Sequence, residues 1–149
     1  MNYNSYDTIV GEQMECVLAG PTALYRAGLT SQQTVVLDIW TSYEDIPNGL
    51  FAVFVRYYYN PMGKDIQYTV CGKAHKNIHE PTKERALVET IKFHDYFNEG
   101  ILIEALQNYI RNVEDFSLLY EVAEYFSVSR DDIDYWINEA REESDMSMD

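Results

Sequence analysis

The sequence contains few cysteines and few cations, and it has no long apolar run. Of its 149 residues only two are cysteine, and 11 Lys and Arg stand against 25 Asp and Glu, which gives a formal net charge of −14. Cys16 and Cys71 form neither a Cys-x-x-Cys pair nor part of a disulfide framework. We therefore expect both cysteines to be reduced residues of the core.

Sequence signals of localisation and of catalysis are also missing. No apolar run approaches the length of a transmembrane helix, and residues 1–13 lack the basic and apolar regions of a signal peptide. We therefore expect a cytoplasmic protein without membrane association. A phosphate-binding loop, a nucleophile elbow and a dinucleotide glycine fingerprint are absent too, so the sequence predicts no enzyme, no catalytic residue and no cofactor.

The negative charge is concentrated near the C-terminus. Residues 114–149 hold 12 acidic and two basic side chains, a net of −10, whereas the preceding 113 residues hold 13 acidic and nine basic, a net of −4. A field of this sign repels nucleic acid and anionic membranes, and it speeds the encounter with basic proteins. Solubility alone is the simpler explanation of the composition, because charge governs association rather than fold.

The apolar pattern predicts one α+β domain at residues 1–141, followed by a disordered acidic tail at 142–149. A short strand is expected at 15–19. A short helix is expected to begin at Pro21 and to end at Gly28, because proline favours the first turn of a helix and glycine the position after the last turn.

The remaining elements are expected to be strands first and helices afterwards. Three β-branched and aromatic segments, at 34–40, 50–60 and 66–71, predict an antiparallel meander of three or more strands. Both faces of 50–60 are apolar, so we expect that strand to be central. Helical periodicity begins after Pro81, at 82–93 and 98–111, and we expect a C-terminal bundle of about four helices.

The segment 119–140 has the layout of a helix-turn-helix, with a tight polar break at 127–129. Ser129 is expected to cap the second helix, and Asp132 follows three residues later. A DNA-reading second helix should carry cations, whereas this one is acidic. The apolar stripes of the two helices are Leu119, Val122, Ala123, Phe126 and Ile133, Trp136, Ile137, Ala140.

Two histidine patterns invite a metal or an acid–base interpretation. His75, His79 and Glu80 have a spacing that suits zinc on a helix, but Gly72 and Pro81 around them favour a solvated loop between sheet and helices. His94 beside Asp95 resembles an acid–base pair, although a histidine near a helix C-terminus is already favoured by the helix dipole. We expect no metal site and no catalysis at either place.

Two further clusters have structural explanations. Asp131, Asp132 and Asp134 resemble a carboxylate set for a divalent ion, but they lack the glycine and the closing glutamate of an EF-hand, and acidic residues are favoured in the first turn of a helix. Tyr57–Tyr59 beside Arg56 could stack bases, but cations are sparse around them. For the tyrosines we favour a sheet core with one exposed face.

Four short segments resemble a known family. They are VLAGPTALYRAGL at 17–29, ERALVETIK at 84–92, the EAL-x-x-Y segment at 104–109 and the L-x-E-V-A helix at 119–123. Together they are similar to the antitoxins of the AbiEi type, the antitoxin half of type IV toxin–antitoxin pairs in abortive infection. The resemblance extends loosely over residues 17–140.

The resemblance implies the C-terminal antitoxin region of that family. Family members usually carry an N-terminal winged helix that binds DNA, and the sixteen residues before Val17 are too few for one. The resemblance implies a toxin partner of the nucleotidyltransferase class and a role in phage defence. Because the winged helix is missing, we expect no operator binding.

Three functional hypotheses follow. The first is a non-enzymatic, acidic protein-interaction module that binds and neutralises a basic toxin or nucleic-acid enzyme. The second is an anti-defence inhibitor of a phage or mobile element that mimics DNA, in the manner of anti-CRISPR proteins. The third is a helix-turn-helix regulator, but Arg130 and Arg141 do not balance the nearby carboxylates, so we do not expect direct nucleic-acid binding. The oligomeric state stays open. The expected partner-binding residues are Glu121, Glu124, Asp131, Asp132, Asp134 and Glu139.

Overall fold

The computed structural model describes residues 15–33, 35–41, 55–63, 70–75 and 77–147, with side chains for all of these except 74, 75 and 144–147. Within these ranges the chain forms an α+β fold with a mixed five-stranded sheet and five α-helices. The elements are β1 (Cys16–Leu18), α1 (Gly20–Arg26), β2 (Leu37–Thr41), β3 (Val55–Tyr59), β4 (Val70–His75), β5 (Ile78–Pro81), α2 (Lys83–Lys92), a 3-10 helix (His94–Tyr96), α3 (Glu99–Asn112), α4 (Ser117–Tyr125) and α5 (Arg130–Ser147).

The α+β class is confirmed, but the expected antiparallel meander is wrong. The strand order is β3-β2-β1-β5-β4, in which β2 runs parallel to β3 and β1 runs parallel to β5. Parallel neighbours need a crossover connection, so the turn signal at 47–49 does not mark a hairpin between β2 and β3. The turn itself, like residues 42–54 as a whole, falls outside the described ranges. Among the described strands β3 lies at an edge, so the expectation that it is central is also wrong.

The loop expected between sheet and helices around His75 and His79 is a β-hairpin instead. β4 and β5 pair in antiparallel fashion, and β5 lies between β4 and β1. Gly72 accompanies a register shift within β4, and Pro81 is the last residue of β5. Glycine and proline therefore mark an irregularity and the end of a strand here, rather than a loop.

One hydrophobic core joins the sheet to all five helices, so the four helices after β5 do not form a separate bundle. Cys16 is buried in this core, as expected, whereas Cys71 on the edge strand β4 is exposed, so the expectation for Cys71 is wrong. The residues chosen for their helical period are all buried: Leu87, Thr90, Ile91, Leu102, Ala105, Leu106, Tyr109, Leu119, Val122, Ala123, Phe126, Ile133, Trp136, Ile137 and Ala140.

The opposite face of the sheet carries a smaller, largely aromatic cluster. Val17, Ala19 and Trp40 are buried there, and Tyr58 and Phe97 pack against them. The ring of Trp40 lies 6.1 Å from that of Tyr58 and 5.8 Å from that of Phe97, centroid to centroid. Both faces of the sheet are therefore covered over part of their area.

The C-terminal helix is longer than the sequence pattern suggests. α5 continues past Arg141 to Ser147, into the segment 142–149 for which a disordered tail was expected. Within the described ranges, no helix combines the length and the apolar character needed to cross a bilayer.

Candidate functional site

The helix pair expected at 119–140 is present as α4 and α5, joined by a turn with regular capping. The N–H of Val128 donates to the carbonyl of Ala123 at 2.8 Å, and Ser127 between them has a φ of 60°, the left-handed conformation that usually ends a helix. Ser129 Oγ accepts the N–H of Asp132 at 3.1 Å. Ser129 is therefore an N-terminal cap of α5, as predicted.

The rest of the molecule holds this helix pair in place through polar contacts at the backbone. The ammonium group of Lys92 in α2 donates to the carbonyl of Phe126 at 2.8 Å. The side-chain amide of Gln107 in α3 donates to the carbonyl of Ala140 at 3.1 Å. The inner faces of α4 and α5 are thus used for packing, and their outer faces remain for function.

The six carboxylates proposed for partner binding do not share one face. Asp132 and Asp134 flank the buried Ile133, and at 3.6 residues per turn they point about 200° apart around α5. Asp134 lies on the side of α4, where it accepts a hydrogen bond from the hydroxyl of Tyr120. Glu139 follows Asp132 by seven residues, which is about two turns. It therefore lies on the same side of α5 as Asp132, away from Asp134.

Glu121 and Glu124 lie on the outer face of α4, where they line an open groove at the start of the helix pair. We call this depression the acidic groove. The guanidinium carbon of Arg130 lies 3.9 Å from the centre of the Tyr120 ring inside it. The groove is lined by Glu114, Asp115, Phe116, Ser117, Tyr120, Glu121, Glu124 and Arg130.

Hydrogen bonds set the electrostatics of the acidic groove. The N–H and the hydroxyl of Ser117 donate to Asp115 at 2.9 and 2.6 Å, and they lower the pKa of that carboxyl. The hydrogen bond to Asp134, together with burial, raises the pKa of the Tyr120 phenol. At neutral pH the groove therefore combines the ionised carboxylate of Asp115 with a neutral tyrosine that can stack on a cation.

Of the eight lining residues, only Glu121 and Glu124 were expected from the sequence to bind a partner, and the aromatic residues were not expected. Phe116 and Tyr120 are half-buried, so they complete the groove without belonging to either apolar stripe. One signal was available: Asp115 stands two residues before Ser117, a common arrangement at the start of a helix. That Tyr120 pairs with Asp134 depends on the angle between two helices, for which the sequence carries no local signal.

The metal interpretation of the histidine segment gains no support from the described residues. His79 is buried at 4% exposure, and its Nε2 lies 3.4 Å from the carboxylate of Glu15. Glu80 instead approaches Arg26, at 3.8 Å. The side chain of His75 is outside the described part. Among the side chains that are described, no three His, Cys, Asp or Glu residues lie together as a metal site would need, which also covers Asp131, Asp132 and Asp134.

The other candidate pairs are separated or exposed. His94 Nδ1 lies 3.2 Å from the carboxylate of Asp95, but the two side chains are 46% and 90% exposed. Tyr57 packs against the main core and Tyr58 against the smaller cluster, on opposite faces of β3. Tyr59 is 52% exposed. The three tyrosines therefore do not form one platform for stacked bases.

The segments that carry the family resemblance contact one another inside the fold. The Tyr109 hydroxyl donates to Glu84 at 2.9 Å, which joins the third segment to the second. The side-chain amide of Asn108 donates to the carbonyl of Leu29 at 2.7 Å, which joins it to the first. These contacts join α3 to α2 and to the turn after α1. Tyr120 and Glu121 of the fourth segment lie instead in the acidic groove.

Comparison of the chain with models of known protein families and with curated proteins finds no match.

Proposed function

We propose that this chain is a non-enzymatic interaction module of the AbiEi antitoxin type, which binds and neutralises a basic toxin or nucleic-acid enzyme in phage defence. The acidic groove is the observation that carries the proposal. Four carboxylates surround two aromatic rings there, on a helix pair whose inner faces are fully used for packing.

The groove has the chemistry to bind lysine and arginine side chains. Arg130 supports this interpretation, because its guanidinium stacks on Tyr120 at 3.9 Å within the groove. Arg141 likewise lies 5.8 Å from the centre of the Phe116 ring. A partner's guanidinium would therefore compete with Arg130 and Arg141 for these rings, and each stacked cation is worth about 0.5–2 kcal/mol. The surrounding charges would steer a basic partner, while the aromatic rings would supply the affinity.

The charge at the start of α5 argues against the regulator hypothesis. In a helix-turn-helix the first residues of the second helix contact base edges. Asp131 and Asp132 occupy those positions here and are exposed. Carboxylates at that point repel the phosphates that supply most of the affinity for DNA.

The separation of the carboxylates supplies a matched pair of variants. Glu121→Lys/Glu124→Lys reverses two charges in the acidic groove. Asp132→Lys/Glu139→Lys reverses two charges on the far side of α5, with the same change in net charge. The test measures the affinity of each variant for a purified toxin of the nucleotidyltransferase class, by biolayer interferometry at low and at moderate salt.

We expect the groove variant to lose at least about tenfold in affinity and to flatten the salt dependence, and the control to lose much less. Circular dichroism checks that both variants fold. Equal losses of affinity in the two variants would mean that net charge alone governs binding. They would overturn the proposal that the acidic groove is the contact surface. A different outcome would favour the DNA-mimic hypothesis instead: the chain would not bind the toxin, but it would bind a DNA-cleaving defence enzyme and compete there with duplex DNA.

A further inference from the structure

A second concave site lies on the opposite side of the sheet from the main core. The depression, which we call the Asp38 cleft, measures about 330 Å³, within the range of pockets that hold small ligands. Its floor is formed by Asp38, Arg56 and Tyr58, and its walls include Val36, Tyr96 and Phe97. The sequence reasoning did not single out Asp38, although it is the one charged residue of the segment TVVLDIW.

Opposite charges lie side by side on the floor. Asp38 and Arg56 are register partners on the parallel strands β2 and β3, so their Cα atoms are about one strand spacing apart. Asp38 is 2% exposed, whereas Arg56 is exposed. Burial raises the pKa of the Asp38 carboxyl, although hydrogen bonds from Thr22 and Tyr58 and the charge of Arg56 act in the opposite direction.

The hydrogen bonds of Asp38 leave room for another donor. The Tyr58 hydroxyl donates to Oδ1 at 3.1 Å. The Thr22 hydroxyl lies 3.0 Å from Oδ2 but also 3.0 Å from the carbonyl of Val36, and it has only one proton to give. A backbone hydrogen bond from Thr22 also reaches the carboxylate. Because an ionised carboxylate offers about four acceptor positions, these donors leave room for one more.

The walls are apolar and largely aromatic. Tyr96 is 54% exposed and stacks against Tyr58, with 5.8 Å between ring centroids and an interplanar angle of 23°. Phe97 packs 4.8 Å from Tyr58, centroid to centroid. Ile101, at the start of α3, completes this side. A ligand would thus find an apolar surface directly beside the two charges.

We propose that the Asp38 cleft binds the zwitterion of a free α-amino acid with an apolar side chain. The ammonium group would donate to Asp38, the carboxylate would accept from Arg56, and the side chain would pack against Tyr96, Phe97 and Ile101. A ligand of one charge would interact favourably with only one of these two groups, whereas the zwitterion matches both. The inference is independent of the proposed function at the acidic groove.

The test is an NMR titration of the ¹⁵N-labelled full chain with L-phenylalanine. Two further probes each lack one charge: 2-phenylethylamine has no carboxylate, and 3-phenylpropanoate has no amine. We expect L-phenylalanine to shift the amide signals of Asp38 and Arg56, with saturation below about 10 mM, and each single-charge probe to bind at least about tenfold more weakly. No shift at these amides, or equal binding of all three probes, would overturn the proposal.

Arg56→Gln separates recognition of the carboxylate from a general change in the cleft. Because Arg56 is exposed, we expect this variant to fold normally. It should lose about tenfold or more in affinity for L-phenylalanine and keep its affinity for 2-phenylethylamine. Arg111→Gln, at an exposed position of α3 outside the cleft, is the matched control and should bind like the parent. Undiminished binding of L-phenylalanine by Arg56→Gln would contradict the assignment.

Discussion

Replacement of Arg85 by methionine tests the interpretation that the second resemblance segment is structural. Arg85 is completely buried, and its Nε lies 2.8 Å from the carboxylate of Glu89, which is 1% exposed. The guanidinium also lies 4.9 Å from the centre of the Phe126 ring and donates to the carbonyl of Met62 at 3.3 Å. The pair thus connects α2 with the end of α4 and with the turn after β3.

The expected magnitude follows from burial. Removal of one member of a buried ion pair leaves the other charge without compensation, which costs about 3–5 kcal/mol of the free energy of unfolding. Arg85→Met and Glu89→Leu should each cost this much. The double variant should cost about 2–6 kcal/mol, less than the sum of the two single costs, because the amide of Asn60, 2.6 Å from Glu89, and the side chain of Trp40 would each lose a hydrogen-bond acceptor at about 1–3 kcal/mol.

The measurement is urea unfolding of the parent, the two single variants and the double variant, followed by tryptophan fluorescence. Arg26→Met is the control, since Arg26 lies 3.8 Å from Glu80 and both side chains are partly exposed, and it should cost less than about 1 kcal/mol. Additive costs in the double variant would refute the reasoning. They would mean that Arg85 and Glu89 stabilise the fold separately and do not act as a pair.

Three further predictions concern caps, glycines and pH. Ser129→Ala removes the cap of α5 and should cost about 1 kcal/mol in urea unfolding, and no change would mean that another group caps this helix. Gly20→Ala should cost at least about 2 kcal/mol, because the added Cβ would clash with the ring of Phe97 at a φ of +47°, whereas Gly28→Ala, at a φ of +77° with open space, should cost only about 1 kcal/mol. Burial and the nearby carboxylate raise the pKa of Tyr58 from 10.0 to about 12, so its contribution to stability is present below pH 10 and is lost as the pH rises through about 12. Phenolate absorbance near pH 11 that equals that of the unfolded chain would contradict this shift.

The helices could be predicted from the sequence because their signal is local. Ile133 and Trp136 are buried because they repeat at helical spacing, and Ser129 caps α5 because its hydroxyl reaches an N–H three residues later. Sheet topology has no such signal. That β2 pairs with β3 in parallel, or that β1 is inserted between β2 and β5, depends on contacts between segments far apart in the sequence.

The candidate site was predictable in its residue types but not in its grouping. The helical period already shows that Glu121 and Glu124 point away from the stripe of Leu119 and Val122. The period alone does not show that Asp134 accepts a hydrogen bond from Tyr120, since that contact depends on the angle at which α4 and α5 cross. The buried carboxylate of Asp38 was missed for a similar reason, because its partners come from α1 and β3.

The helix dipole distinguishes structural carboxylates from those that folding does not explain. Asp131 and Asp132 lie in the first turn of α5, where the dipole stabilises negative charge. Glu124 lies in the last turn of α4, where the dipole disfavours it, and that turn contains no basic residue. Glu124→Lys should therefore stabilise the fold by about 0.3–1 kcal/mol in urea unfolding.

The same substitution should weaken binding of the basic partner, because it places a cation in the acidic groove. A change that improves folding while it impairs binding is the expected mark of a residue kept for function, since natural sequences accept unfavourable local interactions mainly at functional sites. The control is Asp131→Lys, which removes a favourable interaction with the dipole and should lower stability. If Glu124→Lys stabilised the protein and bound the partner as tightly as the parent, the groove would lose its role as the contact surface, and its charge would be explained by solubility alone.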